Sequence, residues 1–301
     1  MNDARSGLGT RVPPRIRLPE VDIPEGRMMD LPGRGATYVT DTPGPTPEAP
    51  TIVLLHALTT TGLLTWFPSI PALSKKFRVI TLDLRWHGRG IKSAEFSLQD
   101  CADDAVAVLD VLGIDKAMFA GFSMGSLVAQ RVWRKHPDRV GGLVLCAATD
   151  VFQRTPTERM FHNGMDSLVS RIPGFGSPRR ADRVQSAQID PSIDIHRWAL
   201  NEFRSTSPIA VSKAIGAIGR HHTRPWIRTI NVPTAVVVPL RDKAIPPARQ
   251  IAMAGRIPGA TLHEVDAGHS CCVMDADKFV PVLVQACNEV LARWKDRTPQ
   301  P

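Results

Sequence analysis

Lys116-Ala117-Met118-Phe119-Ala120-Gly121-Phe122-Ser123-Met124-Gly125-Ser126-Leu127 is the stretch that decides the fold of this 301-residue chain. Lys116–Ser123 is an apolar run of strand length. The residues after it, Met124–His136, carry the spacing of an amphipathic helix. The junction reads Gly121-Phe122-Ser123-Met124-Gly125, a G-x-S-x-G pattern. Five common residues mean little alone, but between a strand and a helix they acquire a mechanism. A serine on so sharp a turn is held exposed above the sheet, and flanking glycines relieve the crowding. The helix N-terminus offers backbone N–H groups to developing negative charge. Ser123 is therefore the candidate nucleophile.

Working outward, the same alternation repeats. Strands are expected at Gly35–Thr40, Thr51–His56, Phe77–Asp83, Val140–Cys146, Thr234–Leu240 and Ala260–Val265. Helices are expected at Trp66–Ser74, Ser97–Gly113, after Pro246 and from about Ala276. In the second, Ser97 is the cap and Leu98, Ala102, Ala105, Leu109 and Leu112 share one face. Strands alternating with helices imply a mainly parallel sheet covered on both faces. Ligands of such sheets sit at the carboxyl ends of the strands. The alternation lapses over 151–228, a Pro-, Gly- and Arg-rich insertion with weak helical stretches at Glu158–Val169 and Ile195–Phe203. Residues 1–33 carry Pro and Arg without periodicity and are expected to form an extended arm. The division is thus 1–33 as an N-terminal extension, 34–150 with 229–301 as the core, and 151–228 as the insertion.

A serine hydroxyl is a weak nucleophile until a base takes its proton. His269, in Asp266-Ala267-Gly268-His269-Ser270, follows the last strand and stands where a base is needed. Of the other histidines, His87 suits a turn, and His221 and His222 suit solvent or a hinge. His136, His162, His196 and His263 have no chemical company in the sequence. The acid that orients His269 is Asp242, after Thr234–Leu240 and before Pro246. Asp150 is its rival, and Asp266 is too close in sequence to reach the ring's outer nitrogen. The order Ser, Asp, His agrees with a nucleophile on a strand-to-helix elbow.

The totals limit the alternatives. A chain 43% hydrophobic supports a large core. Its apolar runs are far shorter than the about 20 residues of a membrane span, and the N-terminus lacks an apolar leader. A cytoplasmic protein without stable membrane insertion is the expectation. Five cysteines without regular spacing suit neither a disulfide framework nor a zinc site. The net charge of +8 comes from 28 Arg and 9 Lys that are scattered rather than massed, so nucleic-acid binding is not expected. Most of the excess lies in 151–228, which holds 11 Arg and 1 Lys against 6 acids. That bias suggests an anionic substrate or surface.

Four motifs resemble the α/β-hydrolase superfamily, and within it small esterases, cofactor-free haloperoxidase-like proteins and lactone hydrolases. Leu54-Leu55-His56-Ala57-Leu58 resembles the oxyanion loop. Asp83-Leu84-Arg85-Trp86-His87-Gly88-Arg89-Gly90 resembles the D-x-R-G-H-G-x-S turn. Gly121–Gly125 is the nucleophile elbow, and Asp242 and His269 match the acid and base. Ala57 and Trp86 stand where the family has glycine, and Gly90 where it has serine. The resemblance implies an eight-stranded, mostly parallel sheet with a helical cap, 151–228, inserted after the sixth strand. It also implies backbone oxyanion donors at Leu58 and Met124, with Ala57 kept out of positive φ. Trp198, Phe203, Phe161, Phe175 and Trp226 are candidates to line an acyl pocket.

The implied activity is carboxylesterase-like hydrolysis of an ester, thioester or lactone, with a small-molecule substrate and no cofactor or metal. Perhydrolysis, acyl transfer and carbon–carbon bond hydrolysis use the same three residues. A ligand-binding receptor on the same fold is the non-enzymatic alternative. Epoxide hydrolases and haloalkane dehalogenases are set apart by an Asp where Ser123 stands.

Overall fold

The computed structural model describes residues 18–152 and 194–297. The first five of the eight strands are β1 (Gly26–Leu31), β2 (Gly35–Thr42), β3 (Thr51–Leu55), β4 (Arg78–Leu82) and β5 (Ala117–Phe122). The remaining three are β6 (Val140–Cys146), β7 (Thr234–Pro239) and β8 (Thr261–Val265). They form one sheet in the order β1-β2-β4-β3-β5-β6-β7-β8. β2 runs antiparallel to β1 and β4, and every pairing from β4 to β8 is parallel.

The helices among the described residues are α1 (Gly62–Trp66), α2 (Ile70–Leu73), α3 (Leu98–Val111), α4 (Met124–Lys135), α5 (Ile195–Arg204), α6 (Pro208–Gly219), α7 (Pro247–Ala254), α8 (Cys271–Met274) and α9 (Ala276–Arg297). None is long and apolar enough to cross a membrane. The strand side chains alternate between two layers, as the pleat requires. Val53 and Leu55 join the layer that includes α3 and α4 residues, and Ile52 and Leu54 join the layer closed by α9. Every residue of β3, β5 and β6 is buried, and their near-continuous apolar sequences follow from cover on both faces.

Two expectations are corrected. The boundary at residue 33 falls inside a hairpin, because Gly26–Leu31 pairs in register with β2 across a turn at Gly33, φ 72°. Met29 and Leu31 point inward while Met28 and Asp30 stay exposed, a period-2 signal short enough to be lost among prolines and charges. The single helix expected over Trp66–Ser74 is two short ones, with Pro71 in the first turn of the second. Residues 194–228 of the insertion lie between β6 and β7 and pack on the core. Ala210, Ala214 and Ile218 of α6 belong to the same buried layer as α3 and α4. The helical stretch expected at Glu158–Val169 lies outside the described residues, whereas Ile195–Phe203 corresponds to α5.

Candidate active site

β5 ends at Phe122 and α4 begins at Met124, so Ser123 alone makes the turn, at φ 52° and ψ −114°. A non-glycine residue is rarely held at positive φ, and the surroundings must supply the constraint. The Ser123 N–H bonds the Cys146 carbonyl at 2.9 Å. The Ser126 hydroxyl reaches the carbonyls of Gly121 (2.6 Å) and Cys146 (2.8 Å). A side chain at Gly125 would overlap the Leu55 carbonyl, and one at Gly121 the backbone of Gly125. The glycines thus let α4 lie against the end of β3.

The loops after β7 and β8 bring Asp242 and His269 to this turn. His269 Nε2 lies 3.1 Å from Ser123 Oγ, and His269 Nδ1 lies 2.8 Å from Asp242 Oδ2. The Asp242 carboxylate is buried and accepts further hydrogen bonds from the N–H groups of Ala244 and Ile245, both at 2.8 Å, and from Gln250 at 3.1 Å. These donors fix the carboxylate, which in turn fixes the ring. Phe122 packs edge-on against the other side of the ring, 5.8 Å between centroids.

The rival acids are elsewhere. Asp150 is wholly buried and paired with Arg224 (3.1 Å) and Arg256 (3.6 Å), while Asp266 pairs with Arg241 at the surface. His87 sits in a turn and His222 is exposed, as expected, but other histidines depart from expectation. His221 is buried rather than facing solvent. His136 pairs with Asp103 and His263 with Glu289. His196 of α5 borders the cavity beside Ser123. His162 lies outside the described residues.

The loop after β3 is held by a ring of hydrogen bonds that the sequence did not announce. The Ala57 N–H bonds Thr65 Oγ1 at 3.2 Å, Thr65 and Thr60 hydroxyls meet at 2.6 Å, and Thr60 donates to the Ala57 carbonyl at 2.9 Å. His56 Nδ1 bonds the same carbonyl at 2.7 Å, while its Nε2 accepts the Leu84 N–H at 2.8 Å. With one ring nitrogen donating and the other accepting, His56 is neutral, and burial pushes its pKa down to about 4. A trans peptide points its C=O and N–H in opposite directions. Two donors on the Ala57 carbonyl therefore aim the Leu58 N–H the other way. Ala57 is not among the residues at positive φ; Thr59, at φ 68°, takes the bend instead. Among the described residues no acceptor takes the N–H of Leu58 or Met124, and both residues border the cavity. Trp86, where the family has glycine, is at φ 65°, held by its N–H to the Ile91 carbonyl and its indole N–H to Ser93.

Ser123 and His269 open into a cavity of about 720 Å³. Its walls are mainly apolar: Leu64 from α1, Leu200 and Phe203 from α5, Ile215 from α6, and Val273 and Met274 from α8. No Lys or Arg is among the described lining residues, so the basic excess of the insertion is not seen at this wall. Of the aromatic candidates among the described residues, only Phe203 lines it. Trp198 packs on Phe67 at 5.1 Å and Trp226 stacks on Trp133 at 6.0 Å. Phe161 and Phe175 lie outside the described residues.

A family model described as "alpha/beta hydrolase fold" matches residues 50–166. The RutD protein of Serratia proteamaculans, named as a carbamate hydrolase, is 27% identical over 79% of this chain and 91% of its own length. The 3-oxoadipate enol-lactonase 1 of Acinetobacter baylyi is 25% identical over 83% of this chain and 92% of its own. This chain is a hydrolase of the α/β fold. Among solved structures, the enol-lactonase of Burkholderia xenovorans superposes on it with a TM-score of 0.67 and 26% identity, covering 87% of this chain and 100% of that one. The hydrolase thus shares nearly the full extent of these relatives. Among its described residues, no group of three or more His, Cys, Asp or Glu side chains is placed to hold a metal ion.

Proposed function

We propose that this hydrolase cleaves a carboxylic ester, or the equivalent thioester or lactone, through an acyl-enzyme on Ser123. The observation that carries the reading is the hydrogen-bonded series Ser123–His269–Asp242 at the cavity, next to two N–H groups without an acceptor among the described residues. His269 Nε2 takes the Ser123 proton as Oγ attacks the carbonyl carbon. Asp242 keeps Nδ1 protonated and balances the imidazolium. The N–H groups of Leu58 and Met124 receive the oxyanion, each worth about 3 kcal/mol at the transition state. His269 then protonates the leaving oxygen or sulfur. Water enters, gives its proton to His269, and releases the acid from Ser123.

The names of the relatives point to carbamate and enol-lactone bonds, both of which are acyl–heteroatom bonds open to the same attack. The apolar walls favour an ester with a neutral acyl chain, since each buried methylene contributes about 0.8 kcal/mol. That is about a four-fold gain in kcat/KM per methylene until the cavity is filled.

The test is Ser123→Ala measured on p-nitrophenyl esters of increasing chain length. Turnover is expected to fall by at least about 1,000-fold on every ester. Wild-type protein is expected to be labelled at Ser123 by a fluorophosphonate. Full activity in Ser123→Ala would sink the proposal, and an unlabelled wild type would favour a binding protein on this fold.

A further inference from the structure

α5 rests on the core through two residues one turn apart, Trp198 and Glu202. Trp198 packs on Phe67. Glu202 is only 8% exposed, and its carboxylate reaches into the corner below the Ala57–Thr61 loop. There Glu202 Oε2 accepts the Thr61 hydroxyl proton at 2.5 Å and lies 3.0 Å from Arg89 Nη2. The same Thr61 oxygen accepts the Leu64 N–H at 3.1 Å and so caps α1. Asp83 grips the corner from the other side. Its Oδ1 accepts the Gly62 N–H at 2.9 Å, and its Oδ2 takes the Arg89 N–H at 2.9 Å. Arg89 is itself fixed over the Tyr38 ring, 3.7 Å from the centroid. The next contact down the chain repeats the tie, as Thr206 Oγ1 accepts the Gly88 N–H at 3.2 Å.

Other faces of the same helix line the cavity through His196, Ala199, Leu200 and Phe203. A buried carboxylate with two partners is costly to leave half-satisfied, so this is a specific attachment rather than surface pairing. We infer that Glu202 is a positioning residue, coupling the insertion helix that walls the acyl pocket to the loop that aims the Leu58 N–H. The chain of contacts is short. Glu202 fixes the Thr61 hydroxyl, Thr61 anchors α1, and Thr65 of α1 holds the Ala57 N–H and, through Thr60, the Ala57 carbonyl. Loss of Glu202 therefore frees both the oxyanion donor and the wall.

The inference rests on the serine-hydrolase reading, and its test separates the two. In Glu202→Ala, kcat on p-nitrophenyl acetate, whose acyl group offers the least surface to the wall, is expected to fall about ten- to hundred-fold. KM for octanoate should rise in the same variant. Glu202→Gln keeps an acceptor for Thr61 and is expected to recover most of the acetate kcat. Thr61→Val should reproduce the acetate loss, and the double variant should be no worse than the weaker single one. The acetate assay is run with thermal melting and fluorophosphonate labelling of each protein. Unchanged acetate kcat in Glu202→Ala, or equal losses in Glu202→Ala and Glu202→Gln that follow melting temperature, would overturn the inference. Failure of the wild type to label would strike the serine-hydrolase reading instead.

Discussion

Ser123 occupies a backbone conformation that costs on the order of 1–3 kcal/mol for a residue with a side chain. The cost is carried by bonds and close packing around it, and Gly125 is the tightest of these positions. Gly125→Ala would drive a methyl into the Leu55 carbonyl at the end of β3. The expected result is a loss of more than about 3 kcal/mol in urea unfolding, or no folded protein at all. Asp242→Asn is a gentler change at the other end of the hydrogen-bonded series. The amide can still accept from Ala244 and Ile245, but where its NH₂ faces His269 the ring turns to the wrong tautomer. Steady-state assays are expected to show kcat lower by about 1,000- to 10,000-fold with little change in KM. Ser123, Asp242 and His269 were readable because each follows a strand at a point where the chain must turn. The residues that hold the Ala57 carbonyl were not readable. Thr60 and Thr65 act through hydroxyl geometry, and no spacing distinguishes such threonines from surface ones.

At the scale of elements, α5 shows how one helix serves two purposes. Trp198 and Glu202 face the core, whereas Leu200 and Phe203 meet the cavity. Phe203 is 52% exposed, so its ring is a wall and not a core anchor. Phe203→Ala is expected to leave the melting temperature nearly unchanged, to lower kcat/KM for octanoate by about ten-fold and to spare acetate. Trp198→Ala should do the reverse, lowering stability by about 3–5 kcal/mol. The sequence located this helix at Ile195–Phe203 but offered Trp198, Phe203, Phe161, Phe175 and Trp226 as equal candidates for the pocket. Periodicity identifies an amphipathic helix without saying which neighbours its faces meet. The same limit explains β1. Six residues with two inward positions give a weak alternation, and the sheet partner that rewards it lies across the Gly33 turn.

The whole molecule carries a pH dependence that no single element would. Burial holds three histidines neutral: His56 with a pKa of about 4, and His87 and His221 with pKa values of about 3. His87 is lowered further by His56, whose ring lies 5.1 Å away, and His221 by Arg131. In the unfolded chain each returns to the ordinary value near 6.5. Between pH 6.5 and about 4 the unfolded state therefore binds more protons than the folded state, and stability falls as pH falls. Above pH 6.5 the contribution is fully present; below the folded pKa values it declines no further. Each histidine adds a slope on the order of 1 kcal/mol per pH unit, so the three together should be evident between pH 6.5 and 5, before most carboxylates titrate. Urea unfolding at half-unit intervals checks this. His87→Asn, which retains a donor for the Arg85 carbonyl that His87 Nδ1 meets at 2.9 Å, should reduce the slope by about a third. A slope unaffected by that substitution would mean that His87 is protonated in the folded protein. Two of these rings, His56 and His87, lie against the loop after β3 and the Asp83–Gly90 turn. Acid that protonates His56 also converts its Nε2 from acceptor to donor against the Leu84 N–H. Under the proposed mechanism, turnover is therefore expected to fail in acid as the His56 ring, displaced from Leu84, gives up its hold on the Ala57 carbonyl.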